Sequence, residues 1–190
     1  MPRLFTALEL PSDVAFGLSM LRGGLPGARW IDPEHYHITL RFIGDIDDRT
    51  ADEIDEMLMD VQRAPISVKL SGLSSFGSDK PRAIYAKVEP TRLLSELQAE
   101  IERIVRRAGL PAEPRKFIPH VTLARLRHAS NIDVAEYLAT RGYFPSRSFI
   151  ASRFVLYSSR DSVGGGPYIV EADYPLERLE TYSRPAIFPG

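Results

Sequence analysis

Two short segments of this chain carry residue types suited to proton transfer at phosphorus. They are His37-Ile38-Thr39-Leu40 and His120-Val121-Thr122-Leu123. Both lie in apolar, β-branched runs, HITLRFI over 37–43 and PHVTLAR over 119–125, which read as strands. Side chains alternate faces along a strand, so each histidine projects together with its threonine. Ile38, Leu40, Val121 and Leu123 turn to the other face and into a core. Imidazole, with an ordinary pKa of about 6.5, serves as a base when neutral and as an acid when protonated. In-line displacement places the nucleophile and the leaving group on opposite sides of phosphorus. Two histidines facing each other across a cleft can therefore activate water on one side and protonate the departing oxygen on the other. The threonine hydroxyls can hold non-bridging oxygens as charge builds. A single His-x-Thr in a strand is more often a half-buried residue with a local hydrogen bond. The repetition gives this pair its weight.

The elements that must position these segments also repeat. RLFTALELP and RAIYAKVEP are alternating strands, each stopped by a proline, Pro11 and Pro90. Each leads into a helix, then a Gly/Pro-rich approach, then a His-x-Thr-Leu strand. The helices are expected over 12–22 and 91–108. The second is the clearer, with Leu94, Leu97, Ile101, Ile104, Val105 and Ala108 on one side and Gly109 as its stop. The repeat units run approximately over 3–43 and 82–125, within one domain of two intertwined lobes spanning 1–190. Further helices are expected from a cap at Asp48 or Thr50 to about residue 63, and over 132–140. Further strands are expected over 66–70 and 73–76 beside a Gly72 turn, near 148–157, and over 167–172 after a Gly164-Gly165-Gly166 turn or flap.

Bulk properties narrow the field. With 190 residues, 44% hydrophobic and 26% charged, the composition is that of an ordinary globular protein. The 24 basic and 25 acidic residues leave a formal charge of -1, so there is no global pull toward duplex nucleic acid. The absence of cysteine excludes disulfides, thiolate metal sites and cysteine nucleophiles, and fits a cytoplasmic location. No run of 18 apolar residues occurs, so a membrane span is not expected. Monomer is the default expectation.

The paired motifs, read with RLFTALELP, GARWIDPEHYHITLRFIG, KFIPHVTLAR, FVLYSS and PYIVEADYPL, resemble the two-histidine (2H) phosphoesterase superfamily. Within it, the resemblance is to the bacterial and archaeal RNA 2',3'-cyclic phosphodiesterases, also called 2'-5' RNA ligases, and it covers almost the whole chain in order. It implies an α+β, bilobal fold: two pseudo-symmetric lobes with antiparallel sheets around a central cleft, and helices outside. The implied activity opens a terminal 2',3'-cyclic phosphate of RNA to a 2'-phosphate, without metal or organic cofactor, with a reversible 2'-5' ligation also in view. By the same resemblance His37 is the proton donor to the leaving 3'-oxygen, and His120 is the base that activates water. Residue chemistry alone leaves those two roles interchangeable. Alternatives are a phosphodiesterase on small nucleotides, such as ADP-ribose cyclic phosphate or 2'-5' oligoadenylate, and a non-catalytic module that binds RNA ends.

Thr39 and Thr122 are the expected phosphate contacts. The resemblance adds Arg125, although strict alternation turns that residue away from His120 unless a bulge or strand end returns it. Arg41, four residues after His37, shares its face by the same alternation and is a candidate substrate contact. Trp30 and Phe117, in the approaches to the two motifs, are candidates for stacking on a base. Phe42 and Tyr157 are weaker ones, Phe42 by parity being expected in the core. His35 beside His37 invites a metal reading, but no His-Glu-x-x-His helix supports it. His128 reads as an exposed loop residue. Arg103, Arg106, Arg107, Arg115 and Lys116 read as a solvated basic surface, with an RNA track as the sharper alternative. The glycine run lacks the lysine of a phosphate loop, and the serines of YSSR lack a triad.

Overall fold

Strand β1 (Arg3–Glu9) is buried along both faces, as a strand with cover on each side must be. Leu4 and Leu8 enter the main core, while Phe5 and Ala7 form a second, smaller cluster with Val155 and Tyr157. The computed structural model describes residues 3–159 and 166–177. Gly164 and Gly165 of the expected glycine turn lie outside the described residues.

Among the described residues, nine strands form one antiparallel sheet in the order β7-β4-β5-β6-β3-β1-β8-β9, with β2 (Ala28–Trp30) against β6. The remaining strands are β3 (His37–Asp45), β4 (Ile66–Phe76), β5 (Ala83–Val88), β6 (His120–Leu126), β7 (Arg147–Ala151), β8 (Arg153–Ser159) and β9 (Ile169–Pro175). The two halves of this sheet meet at a single residue pair, Ile38 on β3 and Val121 on β6. Outward from that seam the halves match strand for strand: β3, β1, β8, β9 on one side and β6, β5, β4, β7 on the other. This is the expected bilobal α+β arrangement.

The helices are α1 (Ser12–Ser19), α2 (Asp48–Met59), α3 (Arg92–Arg107) and α4 (Asn131–Arg141). Their buried residues join Ile38, Leu40, Val121 and Leu123 in one core, so the helices cover the face opposite the histidines. Helix α3 is the most amphipathic. Thr91 caps it, accepting from the Leu94 N–H at 3.3 Å, and Gly109 leaves it with φ +92°.

Three expectations are corrected. The cap of α2 is Asp47, whose carboxylate accepts from the Thr50 N–H at 2.9 Å, rather than Asp48 or Thr50. Residues 66–76 form one strand, not two, because Gly72 is taken up in a bulge between Leu70 and Leu73 instead of a turn. The stretch near 148–157 is two strands: β7 pairs with β4 in one half, then the chain crosses at Ser152 and β8 pairs with β1 in the other. The turn-rich approach to His37 also holds β2 and a 3-10 turn over Pro33–His35.

Candidate active site

The seam brings the two motifs together. Carrying the antiparallel register of Ile38 and Val121 one residue each way sets His37 across from Thr122, and Thr39 across from His120. Each imidazole is oriented in the same manner. The Nδ1–H of His37 donates to the His35 carbonyl at 2.8 Å, and that of His120 to the Ile118 carbonyl at 2.6 Å. A carbonyl can only accept, so Nδ1 carries the proton and Nε2 is the reactive nitrogen of both neutral rings. The Thr39 hydroxyl lies 3.1 Å from His37 Nε2. His120 Nε2 has no partner among the described residues.

The next residues of both strands break strict alternation. On β3, Thr39 pairs with Ala7 and Arg41 with Thr6, leaving Leu40 as an extra residue. On β6, Thr122 pairs with Tyr85 and Ala124 with Ile84, leaving Leu123 extra. The bulge therefore falls three residues after each histidine and exchanges the faces of the residues directly after it. It returns Arg125 to the histidine face, where it is exposed and has no carboxylate partner among the described residues. It also overturns the reading of Arg41. That side chain is buried on the helix side, paired with Glu102 of α3 and donating to the Pro111 carbonyl at 2.6 Å. Phe42 takes the place expected of Arg41. It is 44% exposed on the histidine face, its ring stacked with Phe5 at 6.1 Å. Phe42 and Arg125 thus hold equivalent positions, five residues after each histidine.

The surroundings of the two imidazoles differ. Phe5, Tyr157 and Tyr168 crowd His37, with ring centroids 5.1, 5.9 and 5.1 Å away. This burial pushes the His37 pKa down to about 4, with the His35 carbonyl opposing the shift and His120 and Arg125 adding to it. His120 meets Phe76 and Tyr85 edge-on, at 4.8 and 5.3 Å. Its pKa is also lowered, chiefly by burial; the Ile118 carbonyl works against this and Arg125 contributes to it. The charge of Arg125 thus acts on both rings and would attract an anion bound between them.

Residues 21–162 match the model of the 2'-5' RNA ligase superfamily. The chain belongs to this superfamily. It is similar to the RNA 2',3'-cyclic phosphodiesterase of Aeropyrum pernix, with 36% identity over 60% of this chain and 65% of that protein. The match thus spans a little less than two thirds of that relative's own length. The RNA 2',3'-cyclic phosphodiesterase of Thermotoga maritima is 30% identical over 88% of this chain and 92% of its own. Among solved structures, E. coli LigT complexed with 3'-AMP has the same fold, with a TM-score of 0.76 and 23% identity, covering 93% of this chain and 99% of that one.

Other candidates in this superfamily member fall away from the cleft. Trp30 is turned to the helix side because its strand neighbour Arg29 faces the cleft opposite Arg125. The indole packs against Tyr137 of α4 at 5.7 Å, which removes it as a base-stacking residue. Phe117 is half-buried, packed against the main core. His35 lies 3.5 Å from Glu34 and edge-on to Tyr168, and no group of three His, Asp or Glu among the described residues is placed to hold a metal ion. His128 is exposed with φ 57°. Arg103, Arg106 and Arg107 lie on the exposed side of α3, which covers the face opposite the histidines, and Arg115 pairs with Glu113 at 2.8 Å. Ser158 is fully buried and bonded to Glu171. Among the described residues, no helix is long and apolar enough to cross a membrane. Phe42, expected in the core, is returned to the histidine face by the bulge in β3. The residues missed in the sequence are Phe5, Phe76, Tyr85 and Tyr168.

Proposed function

We propose that this chain is an RNA 2',3'-cyclic phosphodiesterase, hydrolysing a terminal cyclic phosphate to a 2'-phosphate by general acid–base catalysis without metal. One observation carries the reading. Two imidazoles, each with Nδ1 tied to the carbonyl two residues back, present Nε2 to one cleft, and the cation of Arg125 acts on both. His120, neutral, takes a proton from water as its oxygen attacks phosphorus. The bond from phosphorus to O3' breaks, and protonated His37 gives its proton to O3'. An anionic phosphate between the rings favours imidazolium, which offsets the burial that lowers His37. Thr39, Thr122 and Arg125 stabilise the charge on the non-bridging oxygens. Phe42, flat and exposed beside the cleft, offers a face for the terminal base. The acid and base assignment follows the family resemblance, and the activity for which the relatives are named supports the substrate. Residues 3–43 and 82–125 are taken as the two repeats of a single domain, working as a monomer.

The test is a product assay on an oligonucleotide ending in a 2',3'-cyclic phosphate, with chelator present. The expected product is the 2'-phosphate, and His37→Ala and His120→Ala each lower the rate by roughly 10²–10⁴-fold. Full activity in either folded variant would refute the two-histidine mechanism, and a 3'-phosphate product would reverse the leaving-group assignment.

A further inference from the structure

Each histidine has one cross-strand neighbour on the adjoining strand, and the two halves differ there in sign. Opposite His37 on β1 is Glu9, and opposite His120 on β5 is Lys87. Glu9 is paired with Arg153 at 2.8 Å. Lys87 is exposed and has no carboxylate partner among the described residues. On its far side β4 bulges at Ser71 and Gly72, where Gly72 has φ +72°. A Cβ at Gly72 would lie 3.3 Å from Lys87 Cε and 3.5 Å from Nζ, so the lysine lies across the glycine and a side chain there would obstruct it. The result is an open pocket of about 550 Å³, lined by Ser71, Lys87, Tyr143, Phe144 and Ser146. Tyr143 is 93% exposed, its ring unpacked. Gly142, at the carbonyl end of α4, lines the same pocket.

An unpaired cation, hydroxyls and a free aromatic ring are what hold a nucleic acid strand, with charge on the phosphate and a ring under the base. We propose that this pocket binds the nucleotides 5' to the cyclic end, with a backbone phosphate on Lys87 and a base on Tyr143. The inference rests on the reading of the substrate as an RNA end. Its direction comes from the sign difference: the polyanion leaves the cleft over β5 and β4, on the lysine side, and is turned away from Glu9. β4 lies two strand spacings from β6, roughly 10 Å, a distance that a neighbouring nucleotide spans.

The experiment compares kcat/KM on a 2',3'-cyclic mononucleotide and on a short oligonucleotide with the same cyclic end. The proteins are wild type, Lys87→Gln and Tyr143→Ala. Each variant is expected to lose roughly tenfold on the oligonucleotide and to keep its rate on the mononucleotide. Lys87→Gln is also expected to flatten the salt dependence on the oligonucleotide by a slope of roughly 0.7 to 1. Tyr143 is not among the rings that touch either histidine, so its variant separates substrate binding from any disturbance of His120. Equal losses on both substrates, or none on the oligonucleotide, would overturn the pocket. Anisotropy with a labelled oligonucleotide carrying a 2'-phosphate reads the pocket without turnover, and weaker binding by both variants is the supporting result. A wild type that binds this probe through Lys87 and Tyr143 but opens neither cyclic substrate would overturn the proposed function and leave the pocket standing.

Discussion

Two arginines close in sequence to the histidines have opposite fates, and the difference is testable residue by residue. Arg41 is buried and compensates Glu102, whose other oxygen accepts from the Glu113 N–H at 3.1 Å. Removing the guanidinium leaves that carboxylate in a poorly solvated site, so Arg41→Ala is expected to cost about 3 kcal/mol of stability. Activity per folded molecule should survive. Arg125 is exposed, and truncation strands no partner among the described residues. Arg125→Ala should leave the denaturation midpoint nearly unchanged and lower kcat by roughly 10²-fold or more, the scale for losing a donor to developing charge. Urea titration beside a rate assay separates the two effects. A stable but inactive Arg41→Ala would return Arg41 to the cleft.

At the scale of elements, the site depends on paired bulges and on the segment leading into β9. Gly166 there has φ +99°, and a Cβ would fall 2.3 Å from the His35 ring. The same segment carries Tyr168 against Phe5, His35 and His37. Gly166→Ala is therefore expected to lift Tyr168 from His37 and admit water to the imidazole. The His37 pKa should then rise from about 4 toward its ordinary value. An NMR titration of the ring protons reads this directly, and an unchanged midpoint would show that Tyr168 does not bury His37.

At the scale of the whole molecule, both histidine pKa values lie below the ordinary 6.5 in the free protein. A bell-shaped kcat/KM profile centres on the mean of the two, because that ratio reports the free enzyme. Its maximum is accordingly expected below pH 6.5, and an optimum above 7 would contradict the burial of the pair. Stability carries the same signature. Between about pH 6.5 and pH 4 the unfolded chain binds a proton at His37 that the folded chain does not. Folding therefore weakens as the pH falls through that window, by up to roughly 1.4 kcal/mol per pH unit from this group. Urea midpoints at pH 7 and pH 5 should drop less in His37→Gln than in wild type, and equal drops would count against the shift.

The two histidines, their threonines and the strand–helix–strand order that carries them were legible in the residues. Period-two alternation, proline stops and the stripe of α3 are local signals, and the strand–helix–strand order survived, although two expected strands merged into β4, one divided into β7 and β8, and β2 was added. What alternation could not foresee was the extra residue at Leu40 and again at Leu123. A bulge is decided by how a strand pairs with its neighbour, β1 in one case and β5 in the other. It moved Arg41 into the core, brought Arg125 and Phe42 to the cleft, and so reversed the expected roles of two neighbouring residues. The turn of Trp30 toward Tyr137 likewise depended on β2 pairing with β6. The sequence by itself determined which groups are available for proton transfer, because residue type and period-two spacing are properties of the chain. Only the tertiary structure decided which side chains share the cleft with them. That depends on the registers between distant strands, the seam at Ile38 and Val121 above all.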